Sequence, residues 1–207
     1  MTEGVDAAGV GRDLLHARDA RLLEAFGGEP VILVGLSLGG GICLNMALAY
    51  PELVRTLVPV DAWGLFDRLP WHRLTHWFVH SRINDNLYAW AGKHPSVIRF
   101  SLEYSLFGDK SRVGDDLVDE ILEAIREPGA GRPFTSFQRS EITPTGLATD
   151  LFGRLQEIAA PTLLVHGALD RAVPVEGAIL AGEKIPDCEV YLMEGCKHWP
   201  QKERPQE

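Results

Sequence analysis

The 207-residue sequence predicts an α/β fold, a mostly parallel sheet interrupted by a block of helices. Three observations carry that expectation. The runs VILV (31–34), LVRTLVPV (53–60) and PTLLVH (161–166) are short, rich in β-branched residues and without polar alternation, as strands buried on both faces of a parallel sheet are. Helical text stands between them in the order helix, strand, helix, strand, which implies right-handed crossovers. From about residue 66 to 157 the text changes, with Trp71, Trp77, Tyr88, Trp90, Phe100 and Phe107 set in short segments of helical period and no convincing buried strand.

The elements follow in order. Leu14, Leu15, Leu22, Leu23 and Phe26 recur at helical intervals over residues 11–26, with charges between them and Gly27-Gly28 as a stop. Pro30 opens the strand VILV, and after Ser37 the residues Ile42, Leu44, Met46, Ala47 and Leu48 read as a largely buried helix ending near Tyr50-Pro51. LVRTLVPV is the second strand, residues 161–166 a third, residues 175–185 a helix, and residues 188–193 a last strand followed by Gly195 and His198. The expected division is residues 1–65 and 158–207 as the sheet core, with residues 66–157 inserted as a helical lid.

Composition narrows the function classes. Hydrophobic residues at 45% and charged residues at 24% are ordinary for a globular chain and argue against disorder. A net charge of −9 argues against nucleic acid or an anionic membrane as partner, since both demand a basic patch. The start MTEGVDAAGVGRDLL lacks the basic and apolar regions of a secretory signal, and no run reaches the roughly 18 apolar residues of a membrane span. Cys43, Cys188 and Cys196 show no CxxC spacing, so neither a disulfide framework nor a zinc site is expected, and a reducing cytoplasm is the simplest compartment.

The chemistry starts in VILVGLSLGGG. A serine directly after a buried strand and before a helix, with Gly35 and Gly39 two residues to either side, is the G-x-S-x-G nucleophile elbow. The turn strains the serine backbone, and side chains on the flanking residues are expected to collide there, hence the glycines. Ser37 is thereby presented as a nucleophile, and the backbone N–H of Leu38, at the start of the following helix, as an oxyanion donor. A phosphate cradle is the competing reading of so many glycines, but neither GxGxxG nor GxxxxGK[ST] is present.

A serine needs a base, and the base an orienting acid. In folds with this elbow the partners follow as Ser, Asp or Glu, then His. Asp170, in HGALDRAVP beyond the third strand, and His198, in GCKHWPQKERP beyond the last, fit that order.

The stretches GLSLGG, LNMALAYPELV, PTLLVHGALDRAVP and GCKHWPQKERP resemble the α/β-hydrolase family over most of the chain outside the lid. The resemblance implies a triad of Ser37, Asp170 and His198, with serine where similar epoxide hydrolases and haloalkane dehalogenases place aspartate. It implies no cofactor and a small hydrophobic substrate, with Leu36, Trp63 and Trp199 expected to contact it.

Rivals exist for each role. Asp61, after LVPV, is a second candidate acid or a turn cap; His166 reads as a packed histidine and Cys196 as a small apolar filler. His72, His76 and His80 at i, i+4 and i+8 line up three imidazoles that suit a metal, although such a stripe is usually a half-exposed helix face, and no metal is expected.

The aromatic lid points to carboxylic ester hydrolysis of a hydrophobic substrate. The alternative is carbon–carbon bond hydrolysis of vinylogous diketones, because similar meta-cleavage enzymes also place a Trp directly after the triad His, as His198-Trp199 does. Those enzymes bind a substrate carboxylate through an arginine, for which Arg82, Arg99, Arg112, Arg126, Arg132 and Arg139 are undifferentiated candidates.

Relatives have several strands before the helix at residues 11–26 and a closing helix after the final loop, so the text reads as a hydrolase truncated at its amino-terminal side. Two expectations follow: VILV becomes an exposed apolar sheet edge, which a homo-oligomer would cover, and the second oxyanion donor is missing. A catalytically inactive fragment or interaction module is the alternative from outside the enzymes.

Overall fold

The computed structural model describes residues 27–207; the helix expected over residues 11–26 lies outside them. Four parallel strands, β1 (Val31–Leu36), β2 (Val54–Val60), β3 (Thr162–Gly167) and β4 (Cys188–Met193), lie side by side in chain order. Helix α1 (Leu38–Ala49) returns the chain from β1 to β2. It is apolar all round, with Cys43, Leu44, Met46, Ala47 and Leu48 buried, as suits a helix enclosed by its surroundings. The core joins Leu44, Ala47 and Leu48 of this helix to Leu57 of β2, Leu164 of β3 and Ala178 and Ala181 of the helix that follows β3.

β1 departs from one expectation and meets another. It is not buried on both faces: Ile32 is 51% and Val34 66% exposed, while Leu33 between them packs against the core. Among the described residues β1 stands at the end of the strand order with Ile32 and Val34 open, so an exposed apolar edge strand is present there.

Between β2 and β3 runs a succession of helices: α2 (His72–Val79), α3 (Arg82–Ala91), α4 (Pro95–Ser101), α5 (Asp115–Arg126) and α6 (Gly131–Glu141). A π-turn at Leu102–Leu106 extends α4. No strand interrupts them; an isolated antiparallel bridge joins Ile142 to Leu147. α5 shows why such text is helical, with Leu117, Val118, Ile121, Leu122 and Ile125 on its packed side and Asp115 and Asp116 at the positive end of its dipole. One cluster, including Ile98, Phe107, Val118 and Leu122, is internal to these helices. Another ties them to the sheet through Trp63 and Phe66 after β2 and Val173 after β3.

Helix α7 (Val175–Gly182) links β3 to β4 and stops three residues before the expected end, although Ile185 still donates to the Ala181 carbonyl at 3.0 Å. A last short helix, α8 (Pro200–Glu203), follows the His198 loop. Among the described residues no helix is long and apolar enough to cross a membrane.

Candidate active site

Ser37 occupies the junction of β1 and α1 with φ 55° and ψ −118°, a backbone region that side chains rarely adopt. β2 holds it there. Its N–H donates to the Val60 carbonyl at 2.8 Å, and its own carbonyl accepts from Trp63 N at 2.9 Å and Gly41 N at 3.1 Å.

The glycine requirement is distributed differently from the expectation. A Cβ on Gly35 would lie 2.3 Å from the Gly39 carbonyl oxygen, so a side chain is excluded at that position. At Gly39 a Cβ would meet nothing within 4 Å. Gly40 and Gly41 supply the other close approach, where a Cβ would stand 2.7 Å from Ala62 Cβ and 2.7 Å from the Trp63 carbonyl oxygen respectively. The turn needs bare backbone where α1 crosses the chain leaving β2, one and two residues later than the motif spacing suggests.

The structure brings Ser37, His198 and Asp170 together. Ser37 Oγ is 2.9 Å from His198 Nε2, and His198 Nδ1 is 2.7 Å from Asp170 Oδ2. With Nδ1–H donating to the carboxylate, Nε2 is left to accept the serine hydroxyl proton. Asp170 Oδ1 in turn accepts the N–H groups of Ala172 at 2.7 Å and Val173 at 3.1 Å, so backbone fixes the carboxylate before it meets the imidazole. The Asp170 side chain is fully enclosed and that of His198 nearly so. Leu38 is the first residue of α1, where an N–H has no intrahelical acceptor and is available to an anion.

The rivals fall into other roles. Asp61 is fully buried; its Oδ1 accepts the Gly167 N–H at 2.8 Å, and its Oδ2 has no hydrogen-bond partner. Burial pushes its carboxyl up to about 7, opposed by the Gly167 N–H and reinforced by the charge of Asp170. His166, also buried, directs Nε2 to the Val173 carbonyl at 3.2 Å and is kept neutral by desolvation. Cys196 is buried, and burial raises its thiol pKa, which suits packing rather than nucleophilic attack.

Asp61, Asp170 and His198 each place one donor atom within 4.8 Å of the others, but the His198–Asp170 contact at 2.7 Å is a hydrogen bond with no room for an ion between. His72, His76 and His80 do not form a ligand set: His72 Nε2 bonds the Thr143 carbonyl at 2.7 Å and His80 Nδ1 the His76 carbonyl at 2.9 Å, while the His76 and His80 rings lie tilted with centroids 4.3 Å apart.

A cavity of about 440 Å³ starts at Trp199 and runs among the helices, walled by Phe78, Leu87, Ile98, Leu102 and Phe134. Trp199 packs edge-on against Phe107, with centroids 5.7 Å apart. Asn84 and Gln138 also line the cavity; Asn84 donates to Gln138 Oε1 at 3.0 Å. Leu36 and Trp63 are not among its walls: the Trp63 indole N–H is engaged by Glu141 Oε2 at 3.0 Å, inside the cluster that joins helices to sheet. None of the six arginines lines it either. Arg139 bonds the Val79 carbonyl and Asp85, Arg99 the Val113 carbonyl and Asp115, and Arg126 the Gly92 carbonyl.

Sequence reading missed Glu203. Its buried carboxylate accepts Lys197 N at 2.8 Å, Gly108 N at 2.8 Å and Asp109 N at 2.9 Å, clasping the loop that carries His198 to the helical insertion. The available signal was an acid five residues after the candidate base, in HWPQKE.

Residues 12–205 match the α/β hydrolase fold family. The chain is 31% identical over 205 residues to 2-hydroxy-6-oxo-6-phenylhexa-2,4-dienoate hydrolase of Comamonas testosteroni, covering 95% of this chain and 66% of that protein. It is 30% identical over 190 residues to 2-hydroxy-6-oxo-2,4-heptadienoate hydrolase of Pseudomonas putida, covering 89% of this chain and 63% of that protein. Among solved structures, a meta-cleavage product hydrolase of Pseudomonas fluorescens aligns with a TM-score of 0.66 and 25% identity, over 87% of this chain and 62% of the other. The chain thus spans slightly less than two thirds of the length of these relatives.

Proposed function

The chain belongs to the α/β hydrolase family, and from that membership we propose that it hydrolyses the carbon–carbon bond beside the ketone of a 2-hydroxy-6-oxo-dienoate with an apolar 6-substituent. The observation that carries the reading is the unbroken line Ser37 Oγ, His198 Nε2, His198 Nδ1, Asp170 Oδ2, whose histidine is followed in the chain by Trp199, a wall of the apolar cavity among the helices. Relatives with the 6-oxo-dienoate hydrolase names support the substrate class.

In this mechanism Ser37 Oγ attacks the ketone carbon while His198 Nε2 takes its proton, and Asp170 holds the imidazolium that forms. The Leu38 N–H stabilises the oxyanion. The substrate reacts as its 2-oxo tautomer, the 2-hydroxyl proton having moved to carbon 5, so that the carbon–carbon bond breaks with its electron pair delocalised onto the 2-oxygen, which receives the proton from His198. Water, deprotonated by the same imidazole, cleaves the acyl enzyme. The helices of residues 72–141 serve as a lid that keeps this chemistry away from bulk water. The absence of disulfides among the described residues is in keeping with a cytoplasmic setting.

A second reading, hydrolysis of a neutral carboxylic ester, is favoured by one specific feature: no charged side chain lines the cavity, so nothing there pairs with a substrate carboxylate. Turnover of a phenyl-substituted 6-oxo-dienoate, followed by loss of its visible absorbance, and of a short p-nitrophenyl ester separates the two. The proposal expects the dienoate to be turned over faster and Ser37→Ala to abolish both activities. A faster ester reaction supports the second reading, and a folded sample with neither activity supports an inactive fragment.

A further inference from the structure

The mechanism above leaves one buried ionisable group beside the triad without a task. Asp61 follows β2 with φ 44° and donates its N–H to the Val165 carbonyl at 3.0 Å. As β2 leaves the sheet, Oδ1 takes over the N–H of Gly167 at the end of β3. That structural duty occupies one oxygen. Oδ2 remains buried with no donor directed at it, a condition that costs roughly 1–3 kcal/mol for a neutral group and more for a charged one. The groups facing Asp61 are Asp170 from the loop after β3, His166 from β3, and His198 and Cys196 from the loop after β4, with Glu176 of α7 beyond His166. His166 Nε2 is 3.6 Å from Oδ1, but its N–H is used by the Val173 carbonyl. What remains for Oδ2 is the carboxylate of Asp170, an acceptor, and a bond between two carboxyl groups needs a proton.

We propose that Asp61 is a positioning residue that carries a proton on Oδ2 and donates it as a hydrogen bond to the carboxylate of Asp170. The inference rests on the reading of Ser37, His198 and Asp170 as the triad. Asp170 is then held by a side chain as well as by two backbone N–H groups. The device is also sensitive to pH, because burial lifts the Asp61 carboxyl to about 7. Below neutrality it is a donor; above, it becomes a second anion beside Asp170, and the hydrogen bond between the two carboxyl groups is lost.

Two measurements on the full chain test this. Carboxyl 13C NMR, with the Asp61 signal assigned by its loss in Asp61→Asn, is expected to show a titration step within about one unit of neutrality; a step below pH 5 overturns the proposal. The pH profile of fluorophosphonate labelling at Ser37 gives the second readout. Asparagine keeps the Gly167 bond and donates to Asp170 at every pH without ionising. Asp61→Asn is therefore expected to label within about twofold of wild type at pH 6 and about threefold faster than wild type at pH 9, where wild type has lost the bond to Asp170. Asp61→Ala is expected to lose about tenfold on the plateau. Superimposable wild-type and Asp61→Asn profiles overturn the proposal, and the asparagine variant decides the matter even where the alanine variant fails to fold. If wild-type protein is not labelled at all, the triad reading falls, and the carboxyl titration alone decides whether the shared proton exists.

Discussion

Gly167 and Lys197 touch backbone to backbone: a Cβ built on Gly167 would lie 2.0 Å from the Lys197 carbonyl oxygen and 2.9 Å from that of Cys196. The end of β3 is thus in contact with the residue before His198. A methyl group at this point pushes the loop outward by about 1 Å, a displacement that costs on the order of a hundredfold when it separates reacting groups. Gly167→Ala is expected to retain its far-ultraviolet circular dichroism while Ser37 labelling by a fluorophosphonate falls by about two orders of magnitude. Labelling at the wild-type rate would show that the loop yields without moving His198.

Glu203 works on the same loop from the other side. One buried carboxylate receives three backbone N–H groups, from Lys197, Gly108 and Asp109. Leaving buried donors unpaired costs roughly 1–3 kcal/mol each. Glu203→Ala is expected to lose about 3 kcal/mol in urea denaturation, and Glu203→Gln, which keeps one accepting oxygen, about half of that. Equal losses would assign the effect to the charge rather than to the acceptors.

The contrast between these residues and the triad explains what was legible in the sequence. The four strands and α1 announce themselves through short β-branched runs punctuated by Gly and Pro, and their bounds fall within a few residues of the expectation. Ser37, Asp170 and His198 stand after strand ends, where a parallel sheet delivers side chains to one edge, so local text together with chain order was enough to single them out. Val34 was misread as buried because exposure depends on what lies beside a strand rather than on its own residues. Glu203 and Asp61 were passed over or left as rivals because their partners lie 95 and 106 residues away, and nothing in either local stretch indicates which backbone groups will need an acceptor. The two outer residues of G-x-S-x-G look equivalent as text, yet Gly35 faces backbone and Gly39 faces open space.

That last difference is directly testable. A Cβ on Gly35 would stand 2.3 Å from Gly39 O and 2.8 Å from Cys43 Sγ, and the Gly39 carbonyl cannot retreat without unwinding the start of α1. Gly39 lies within the first turn of the same helix with room for a methyl group, where alanine is favoured over glycine by about 1 kcal/mol. Gly39→Ala is expected to raise the unfolding free energy by about 0.5–1 kcal/mol and leave fluorophosphonate labelling unchanged, whereas Gly35→Ala is expected to abolish labelling and lower stability. Similar behaviour of the two variants in calorimetry would contradict the asymmetry.

Asp61 also predicts how stability depends on pH. Its carboxyl titrates near 7 in the folded chain against 3.8 unfolded, so between these values the native state keeps a proton that the unfolded chain has released. Stability from this group therefore falls as pH rises from about 4 to about 7 and is level above that. His166 runs the other way, since burial lowers its pKa and native stability is lost as pH falls and the unfolded imidazole protonates. Comparing wild type with Asp61→Asn removes the His166 contribution, which is common to both, and isolates the carboxyl. The variant is expected to gain on wild type by on the order of 2 kcal/mol more at pH 8 than at pH 5 in urea denaturation. A carboxylate already ionised at pH 5 would leave that gap constant, so parallel stability curves would mean that Asp61 carries no proton to share.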